Sequence, residues 1–279
     1  MANANYTGAV ETAREYYNSD DADRFYHRVW GGEDIHVGLY QDDEEPIPDA
    51  SRRTVAHMAD LLGELKPDQK VLDLGAGYGG TARYLASTFG CQVVALNLSE
   101  VENDRDREMN RAVKLDHLIE VLDASFEEIP YPDDHFDVVW SQDSFLHSGD
   151  RDRVMQEAAR VLKPGGTLIF TDPMQADDCP EGVLQPILDR IHLETLGSPA
   201  FFREAAKKYG LEEIGFEEHA HQLPRHYGRV RQELISREDS LKGEISEAYI
   251  ERMKAGLQHW VNGGNNGHLT WGIFRFRKA

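Results

Sequence analysis

The stretch VLDLGAGYGG, residues 71–80, joins a short apolar run to a glycine-rich turn. The run predicts a buried strand, and the residues from about Gly80 onward have the spacing of a helix. Gly75, Gly77 and Gly80 satisfy the pattern G-x-G-x-x-G at this strand–helix junction. In a doubly wound sheet, such a turn lets a ligand approach the backbone at the carboxyl end of the first strand. The stretch therefore predicts a ligand site at that edge.

By itself the glycine pattern fits NAD, FAD or S-adenosylmethionine, or a tight turn that binds nothing. Two nearby residues separate these alternatives. Asp73 lies inside the predicted strand, where a buried carboxylate needs a partner; an ammonium group would supply one, and a pyrophosphate would be repelled. A dinucleotide site would favour an acid roughly twenty residues further on, where this chain has Asn97. Both residues favour S-adenosylmethionine.

Outward from this stretch, short apolar runs alternate with helical stretches, which is typical of a mostly parallel sheet with helices on both faces. The predicted strands are 70–74, 92–98, 118–122, 136–141, 167–171, 211–218 and 270–277. The predicted helices are 51–65, 80–89, 100–115, 150–162, 198–209 and most of 223–262. We therefore expect an α/β, Rossmann-like fold with a seven-stranded sheet.

The organisation along the chain follows from the same pattern. Residues 1–50 are aromatic and acidic and predict an N-terminal cap, which ends in an exposed loop around Pro46 and Pro48. Residues 51–222 form the expected core, 223–264 a helical lid inserted over one edge of the sheet, and 265–279 a final antiparallel strand of that sheet.

The chain is strongly acidic, with 30 Lys and Arg against 50 Asp and Glu and a formal net charge of −20. Such a surface argues against nucleic acid and anionic membranes as partners, because phosphate groups select basic surfaces. Only nine of the basic residues are lysine. An acidic, lysine-poor surface is typical of a protein in a salty cytoplasm, where screening weakens its self-repulsion. An ordinary acidic enzyme is the alternative.

Cysteine usage and the apolar runs predict a cytoplasmic protein. Cys91 and Cys179 are too few for a disulfide framework in 279 residues. The first residues lack the basic start and apolar run of a secretory signal, and no apolar run is long enough to span a bilayer. We expect a monomer or a small homo-oligomer.

Five ordered stretches resemble the motifs of the class I S-adenosylmethionine-dependent methyltransferases. VLDLGAGYGG is similar to the first motif and VVALNLSE (93–100) to the second. The third and fourth lie in ASFEEIPYPDDHFDVVWSQDSFLH (124–147), and the fifth in RVLKPGGTLIFTD (160–172). The resemblance covers about residues 50–220. It implies a Rossmann-like class I methyltransferase with S-adenosylmethionine as its cofactor.

The resemblance also implies which side chains meet the cofactor. The acid in the first strand lies near the methionine ammonium, the end of the second strand contacts the ribose, and the loop after the third strand holds the adenine. Asp123 is an alternative to Ser125 at the adenine. The implied cofactor residues are Asp73, Gly75, Gly77, Asn97, Leu98, Ser125, Phe126 and Gln142.

The flanks of the core narrow the resemblance to one family. YYNSDDADRFYHRVWGGEDIHVGLY (16–40), HYGRVRQELI (226–235), GLQHWVNGG (256–264) and LTWG (269–272) resemble the sarcosine/dimethylglycine N-methyltransferases of betaine synthesis. The resemblance implies methylation of sarcosine to dimethylglycine and then to glycine betaine, a compatible solute. Two alternatives stay open: the same fold acting on glycine, phosphoethanolamine or a specialised metabolite, and a non-catalytic subunit that binds S-adenosylmethionine.

The implied substrate carries a carboxylate, which an arginine can bind in bidentate fashion. The candidates are Arg53, Arg190 and Arg225. Arg53 is favoured because it lies near the start of a helix that packs close to the cofactor in similar enzymes. A surface ion pair is the alternative for each arginine, and such pairs are usually weak.

The implied product carries a quaternary cation, which suits aromatic faces. Tyr26, Trp30 and Tyr227 are the candidates, with packing in the core as the alternative. Trp30 and His36 also belong to the stretch that resembles the family's cap, which implies that both lie near the cofactor.

His147 follows the fourth predicted strand and is the candidate general base, because an unperturbed imidazole accepts a proton near neutral pH. A structural histidine is the alternative. Gln142 shares this edge and is expected to orient a ligand. The chain has no HExxH, paired CxxC or GxSxG motif, and we predict no metal. His219 and His221 are interpreted as surface or cap residues.

Overall fold

The computed structural model describes residues 8–191 and 193–279. The first seven residues of the expected cap and His192 lie outside the described residues. The strands are β1 Lys70–Leu74, β2 Gln92–Asn97, β3 Ile119–Asp123, β4 Phe136–Gln142, β5 Leu162–Gln175, β6 Leu211–Glu218 and β7 Leu269–Lys278. The order across the sheet is β3-β2-β1-β4-β5-β7-β6. All neighbouring strands are parallel except β7, which is antiparallel to β5 and β6. The α/β, Rossmann-like prediction is confirmed.

Helices precede, connect and follow these strands. They are α1 Gly8–Tyr17, α2 Asp20–Phe25, α3 Ile47–Leu62, α4 Gly80–Phe89, α5 Glu100–Ala112, α6 Arg151–Val161, α7 Gln185–Ile191, α8 Pro199–Lys208, α9 Gln222–Leu241 and α10 Glu247–Asn265. A π-helical turn, Tyr26–Trp30, continues α2, and a 3-10 turn, Phe145–His147, follows β4. Among the described residues, no helix is both long and apolar enough to cross a membrane.

The sheet buries apolar side chains on both faces. On one face, Val154 of α6 and Phe202 of α8 pack into a cluster with strand residues such as Leu72. On the other face, Val55 of α3 and Leu85 of α4 pack into a second cluster. Strands covered on both sides are expected to be nearly continuous apolar runs, which is why the sequence revealed them clearly.

A third apolar cluster joins the N-terminal cap to the lid. Phe25 and Trp30 from the cap pack with Tyr227 of α9, Trp260 of α10 and Trp271 of β7. The ring planes of Tyr227 and Trp260 are nearly parallel, with centroids 4.8 Å apart. The cap and the lid therefore share one core beside the sheet, and neither is an independent unit.

Three details differ from the predicted elements. Helix α3 begins at Ile47, not Ser51, because Pro48 lies in its first turn, where the missing N–H is not needed for a helical hydrogen bond. The predicted loop therefore ends earlier. The lid is two helices, α9 and α10, with a break after Leu241. Strand β5 continues to Gln175, since β7 pairs with it as far as Leu269.

The glycine turn after β1 takes the conformation that its sequence requires. Gly75 has φ +76°, and a Cβ there would lie 2.4 Å from the Cβ of Ser144. Only glycine fits both restrictions at low cost. The Gly75 and Ala76 N–H groups donate to the Leu96 carbonyl at 2.8 and 3.1 Å, which fixes the turn against β2.

Candidate active site

A cavity opens at the carboxyl ends of β1, β2 and β4, next to the glycine turn. We call it the first cavity. Most of the predicted cofactor residues line it, and α1 covers it with Ala13 and Tyr17. The predicted residues brought together here are Gly75, Gly77, Asn97, Leu98, Ser125, Phe126, Gln142 and His147.

Asp73 is buried in β1, two residues before Gly75 of the cavity's lining, with 3% of its surface exposed. Its Oδ2 atom is shielded from solvent, and no described residue hydrogen-bonds to it. Burial raises the pKa of Asp73 to about 8, with Asp106 and Asp34 acting in the same direction. A buried carboxyl oxygen without a donor is costly, so this atom suits a ligand that brings an ammonium group.

Gln142 presents a free donor to the first cavity. Its Oε1 accepts hydrogen bonds from Thr81 Oγ1 at 2.7 Å and Trp140 Nε1 at 3.0 Å. Two donors on the oxygen fix the orientation of the amide, so Nε2 is left to face the cavity. No described residue accepts a hydrogen bond from this buried Nε2. A ligand carboxylate is a suitable acceptor.

The ribose prediction at Asn97 gains a second residue that the sequence did not reveal. Asn97 Nδ2 donates to Glu102 Oε2 at 2.9 Å, and both side chains line the first cavity. Glu102 Oε1 is buried, and no described residue donates to it. Burial raises the pKa of Glu102 to about 7. The carboxylate that the end of β2 lacks is therefore supplied from the first turn of α5.

The two candidates for the adenine end are separated by their partners. Asp123 accepts from Asn103 Nδ2 and Arg107 Nη2, each at 2.7 Å, and does not line the first cavity. Ser125 and Phe126 do line it. Ser125 and Phe126 therefore face the space in which the adenine is predicted, and their contact with it stays a prediction.

A second cavity adjoins the first beneath the cap and the lid. Its lining is largely aromatic, with one arginine, and it includes Tyr26, Trp30, His36, Arg190, Tyr227 and Trp260. Both cavities share Tyr17, Ile35, Asp143 and His147. Two ligands placed in the two cavities would thus meet at this junction. Trp30 and His36 line the second cavity and not the first, so their predicted contact with the cofactor stays a prediction.

Arg53, the arginine that the sequence analysis favoured as the carboxylate ligand, lies away from both cavities. Arg53 lines neither cavity; its Nη1 donates to the Leu39 carbonyl at 2.6 Å, and its guanidinium forms an ion pair with Glu45. Arg225 pairs with Asp43, with Nε 2.7 Å from Oδ1. Both arginines are held by the acidic loop before α3, so neither is available to a substrate carboxylate.

Of the three candidate arginines, Arg190 is the one that lines the second cavity. It lies near the end of α7, is half-buried and lines the second cavity. Its Nη2 lies 3.1 Å from the Met253 sulfur, and no described carboxylate pairs with it. A Cβ at Gly256 would lie 2.4 Å from Arg190 Cδ, so the glycine in α10 leaves room for this side chain. A half-buried guanidinium that lacks an acidic partner suits a carboxylate ligand.

His147 lies at the junction of the cavities, where its Nε2 is 2.7 Å from the hydroxyl of Tyr17. Burial lowers the pKa of His147 to about 4, and the positive charges of Arg151 and Arg190 act in the same direction. The ring is therefore neutral at physiological pH. A base this weak does not match the proton-accepting role expected from the sequence.

Asp143 faces the same junction, and its carboxylate accepts three hydrogen bonds from other residues of the chain. It accepts from the Val37 N–H at 2.6 Å, from Thr171 Oγ1 at 2.8 Å and from Trp271 Nε1 at 2.7 Å. Burial raises the pKa of Asp143, and these hydrogen bonds oppose the rise. They also join the cap, β5 and β7 at one carboxylate, which fixes its position.

Comparisons with known proteins agree with this geometry. Residues 72–170 match a family model described as a methyltransferase domain. A sarcosine/dimethylglycine N-methyltransferase of Halorhodospira halochloris is 70% identical over 97% of both chains. A protein of the same description from Aphanothece halophytica is 54% identical over 96% of this chain and 97% of the relative.

A solved structure extends the agreement to three dimensions. A crystal structure from Galdieria sulphuraria, described as a sarcosine dimethylglycine methyltransferase, is 47% identical and superposes with a TM-score of 0.90. The alignment covers 95% of this chain and 99% of the other. The fold and site are those of a class I S-adenosylmethionine-dependent methyltransferase. Within that class, the chain belongs to the sarcosine/dimethylglycine N-methyltransferase family.

The residues of the first cavity fit this cofactor. Asp73 offers an unpartnered acceptor for an ammonium group, Gln142 an unpartnered donor for a carboxylate, and Glu102 an unpartnered acceptor for a ribose hydroxyl. Gln142 and Glu102 line the first cavity, and Asp73 lies in β1 just before the glycine turn that lines it. A bound zwitterion with a sugar would satisfy all three atoms.

Proposed function

We propose that this chain N-methylates sarcosine to dimethylglycine and dimethylglycine to glycine betaine, an osmoprotectant. S-adenosylmethionine, when bound, would supply an electrophilic methyl group that an amine nitrogen attacks in line, so that an N–CH₃ bond forms as the S–CH₃ bond breaks and S-adenosylhomocysteine leaves. The chain's own contribution is positioning, which accounts for up to about 7–11 kcal/mol of such a barrier. We propose the first cavity for the cofactor and the second for a small amino acid, with no nucleic acid or membrane as a partner.

The unpaired Arg190 is the observation that carries this proposal. It lines the second cavity, while His147 and Asp143 mark the junction with the first. A substrate whose carboxylate binds Arg190 has its amine directed away from the guanidinium and toward the junction. The positive guanidinium attracts the carboxylate and repels the positive charge that the amine gains on methylation. Arg190 therefore replaces Arg53 as the proposed carboxylate ligand.

Aromatic rings surround the space between Arg190 and the junction. Tyr26, Trp30 and Tyr227 line it, and Trp30 lies 5.3 Å from Tyr26 and 5.6 Å from Tyr227 between ring centroids. Their faces suit an amine that gains methyl groups and positive charge. We propose that Asp143 stabilises the same charge, since its carboxylate is the acidic group of the second cavity's lining.

The acceptor must lose a proton before it reacts, because an ammonium nitrogen has no free lone pair. A pKa of about 4 makes His147 a poor acceptor of that proton. We propose that the amine arrives neutral and that His147, bonded to Tyr17, shapes and closes the junction. Dimethylglycine and sarcosine then need no dedicated base.

An acceptor screen with labelled S-adenosylmethionine tests this function. We expect turnover with sarcosine and dimethylglycine and little with phosphoethanolamine. The acidic surface predicts that activity persists at high salt, so the screen should cover a salt series. Cofactor binding without turnover of any amine would instead support a non-catalytic subunit.

A further inference from the structure

A cluster of potential metal ligands lies where α3 packs against the end of β6, outside both cavities. His57, Glu217 and His219 each direct one donor atom to a common point, with all three atoms within 4.8 Å of one another. Among residues 8–191 and 193–279, no other group of three such side chains meets this condition. The cluster has no part in the proposed methyl transfer.

Two secondary-structure elements fix these donors. Glu217 and His219 are two positions apart on an extended segment and so project to the same side of it. The His219 N–H donates to the Trp271 carbonyl at 2.8 Å, which continues the pairing of β6 with β7 beyond the strand's end. Helix α3 carries His57, and the Leu61 carbonyl accepts from Arg275 of β7 at 3.2 Å. The donors are thus attached to backbone that is already ordered.

One histidine nitrogen of the cluster, Nε2 of His219, has no hydrogen bond among the described residues. His57 Nε2 lies 2.7 Å from Glu217 Oε2, which is a hydrogen bond, but His219 Nε2 lies 3.5 Å from the same oxygen. That nitrogen is shielded from solvent, and no described residue hydrogen-bonds to it. A buried polar atom without a partner is costly. This nitrogen also lies near the other two potential metal-ligand atoms, those of His57 and Glu217.

We propose that His57, Glu217 and His219 bind a divalent transition-metal ion of the Zn²⁺ type, with water completing the coordination. Two imidazoles and one carboxylate are a common ligand set for this ion. Ligands about 2.0–2.2 Å from zinc lie roughly 3.0–3.6 Å apart, so the cluster needs only small side-chain movements. His57 is 36% exposed, which leaves a path from solvent.

A bound ion would fasten α3 to the edge of the sheet. One and two turns before His57, the same helix carries Thr54 and Ser51, whose hydroxyls donate to the Val37 and His36 carbonyls at 2.9 Å. These bonds hold the segment that covers the second cavity. The expected role is therefore structural, with a gain in stability and no direct part in the reaction.

Calorimetry of the full chain after removal of metals by a chelator tests the proposal, with ZnCl₂ as the titrant. We expect one equivalent to bind with a micromolar dissociation constant. Thermal unfolding with a hundredfold excess over that constant should shift Tm upward by about 5 °C or more. His57→Ala and His219→Ala should each weaken binding at least tenfold, whereas His221→Ala should not.

The CoCl₂ complex gives a second readout. Its visible absorption reports nitrogen and oxygen ligands directly, and it also serves if the alanine variants unfold, because Glu217→Gln keeps the shape of the side chain. The proposal would be overturned if the chain bound no stoichiometric metal, or if the His57 and His219 variants bound it as tightly as the unsubstituted chain does. None of these measurements depends on methyl transfer, so they stand apart from the proposed function.

Discussion

The Tyr17 hydroxyl and His147 Nε2 lie 2.7 Å apart at the boundary between the two cavities. The bond connects α1 to the turn after β4, and both residues line both cavities. Since the histidine is neutral, the pair forms an uncharged closure across the reaction site. The N-terminal helix is thereby part of the site as well as a cover for it.

Tyr17→Phe removes only the hydroxyl of this pair. We expect kcat to fall by roughly fivefold, because one neutral hydrogen bond is worth about 1 kcal/mol and holds the junction closed. The affinity for S-adenosylmethionine should change little. Steady-state kinetics with calorimetry of cofactor binding measure both quantities. A tenfold loss of cofactor affinity with kcat unchanged would contradict the proposed role.

Arg190→Gln should raise the KM for dimethylglycine at least a hundredfold, since the carboxylate loses its charged partner. Arg53→Gln is the matched control, because the structure assigns that arginine to Glu45 and the Leu39 carbonyl. We expect its effect to appear in thermal stability and not in KM. The reverse pattern, with KM sensitive to Arg53 and indifferent to Arg190, would restore the original sequence prediction.

The difference between these two arginines shows where sequence information ends. The strand–turn–helix at residues 71–80 was predictable because local residues dictate it: an apolar strand, then glycine at a positive φ. Whether Arg53 is free to bind a substrate carboxylate depends on its ion pair with Glu45. That ion pair forms only because the loop before α3 folds back on the helix. Likewise, Glu102 was missed because it lies in a strongly charged helix, and the sequence does not show that its side chain turns inward to Asn97.

The proposed metal-binding residues His57, Glu217 and His219 show the limit of sequence information more strongly. His57 and Glu217 are 160 residues apart in the chain, so no spacing rule could join them. The classes of element that carry them, a helix and a strand, were predicted correctly. Their meeting point follows only from the packing of α3 against the sheet.

Asp73 makes the stability of the ligand-free chain depend on pH. Its folded-state pKa is raised to about 8 from an ordinary value near 3.8, so the folded state binds the proton more tightly. This contribution is complete below the unfolded pKa and is lost as pH rises through about 8. We expect the free energy of unfolding to fall between pH 6 and 8 by on the order of 2 kcal/mol from this group.

Asp73→Asn tests that expectation, since the amide imitates the protonated carboxyl. Thermal or urea unfolding at the two pH values should show a smaller fall in the variant than in the original chain. Its affinity for S-adenosylmethionine should drop by about tenfold to a hundredfold, because the ammonium loses a charged acceptor. An unchanged affinity would rule out this contact.

Glu102→Gln should weaken cofactor binding by roughly tenfold, because the amide removes one acceptor from the atoms facing the ribose hydroxyls. Glu108→Gln on the exposed side of the same helix is the matched control and should have no effect. Calorimetric titration of both variants decides the matter. Equal affinities for the two variants would exclude Glu102 from the site.

The central claim is that a carboxylate-bearing amine lies between Arg190 and the cofactor. The ratio of kcat/KM for dimethylglycine to that for dimethylethanolamine tests it most directly, because the second amine has a hydroxymethyl group in place of the carboxylate. We predict a preference for dimethylglycine of about a thousandfold, since the substrate then satisfies a half-buried guanidinium. Equal kcat/KM values for the two amines, or a preference for dimethylethanolamine, would contradict the account.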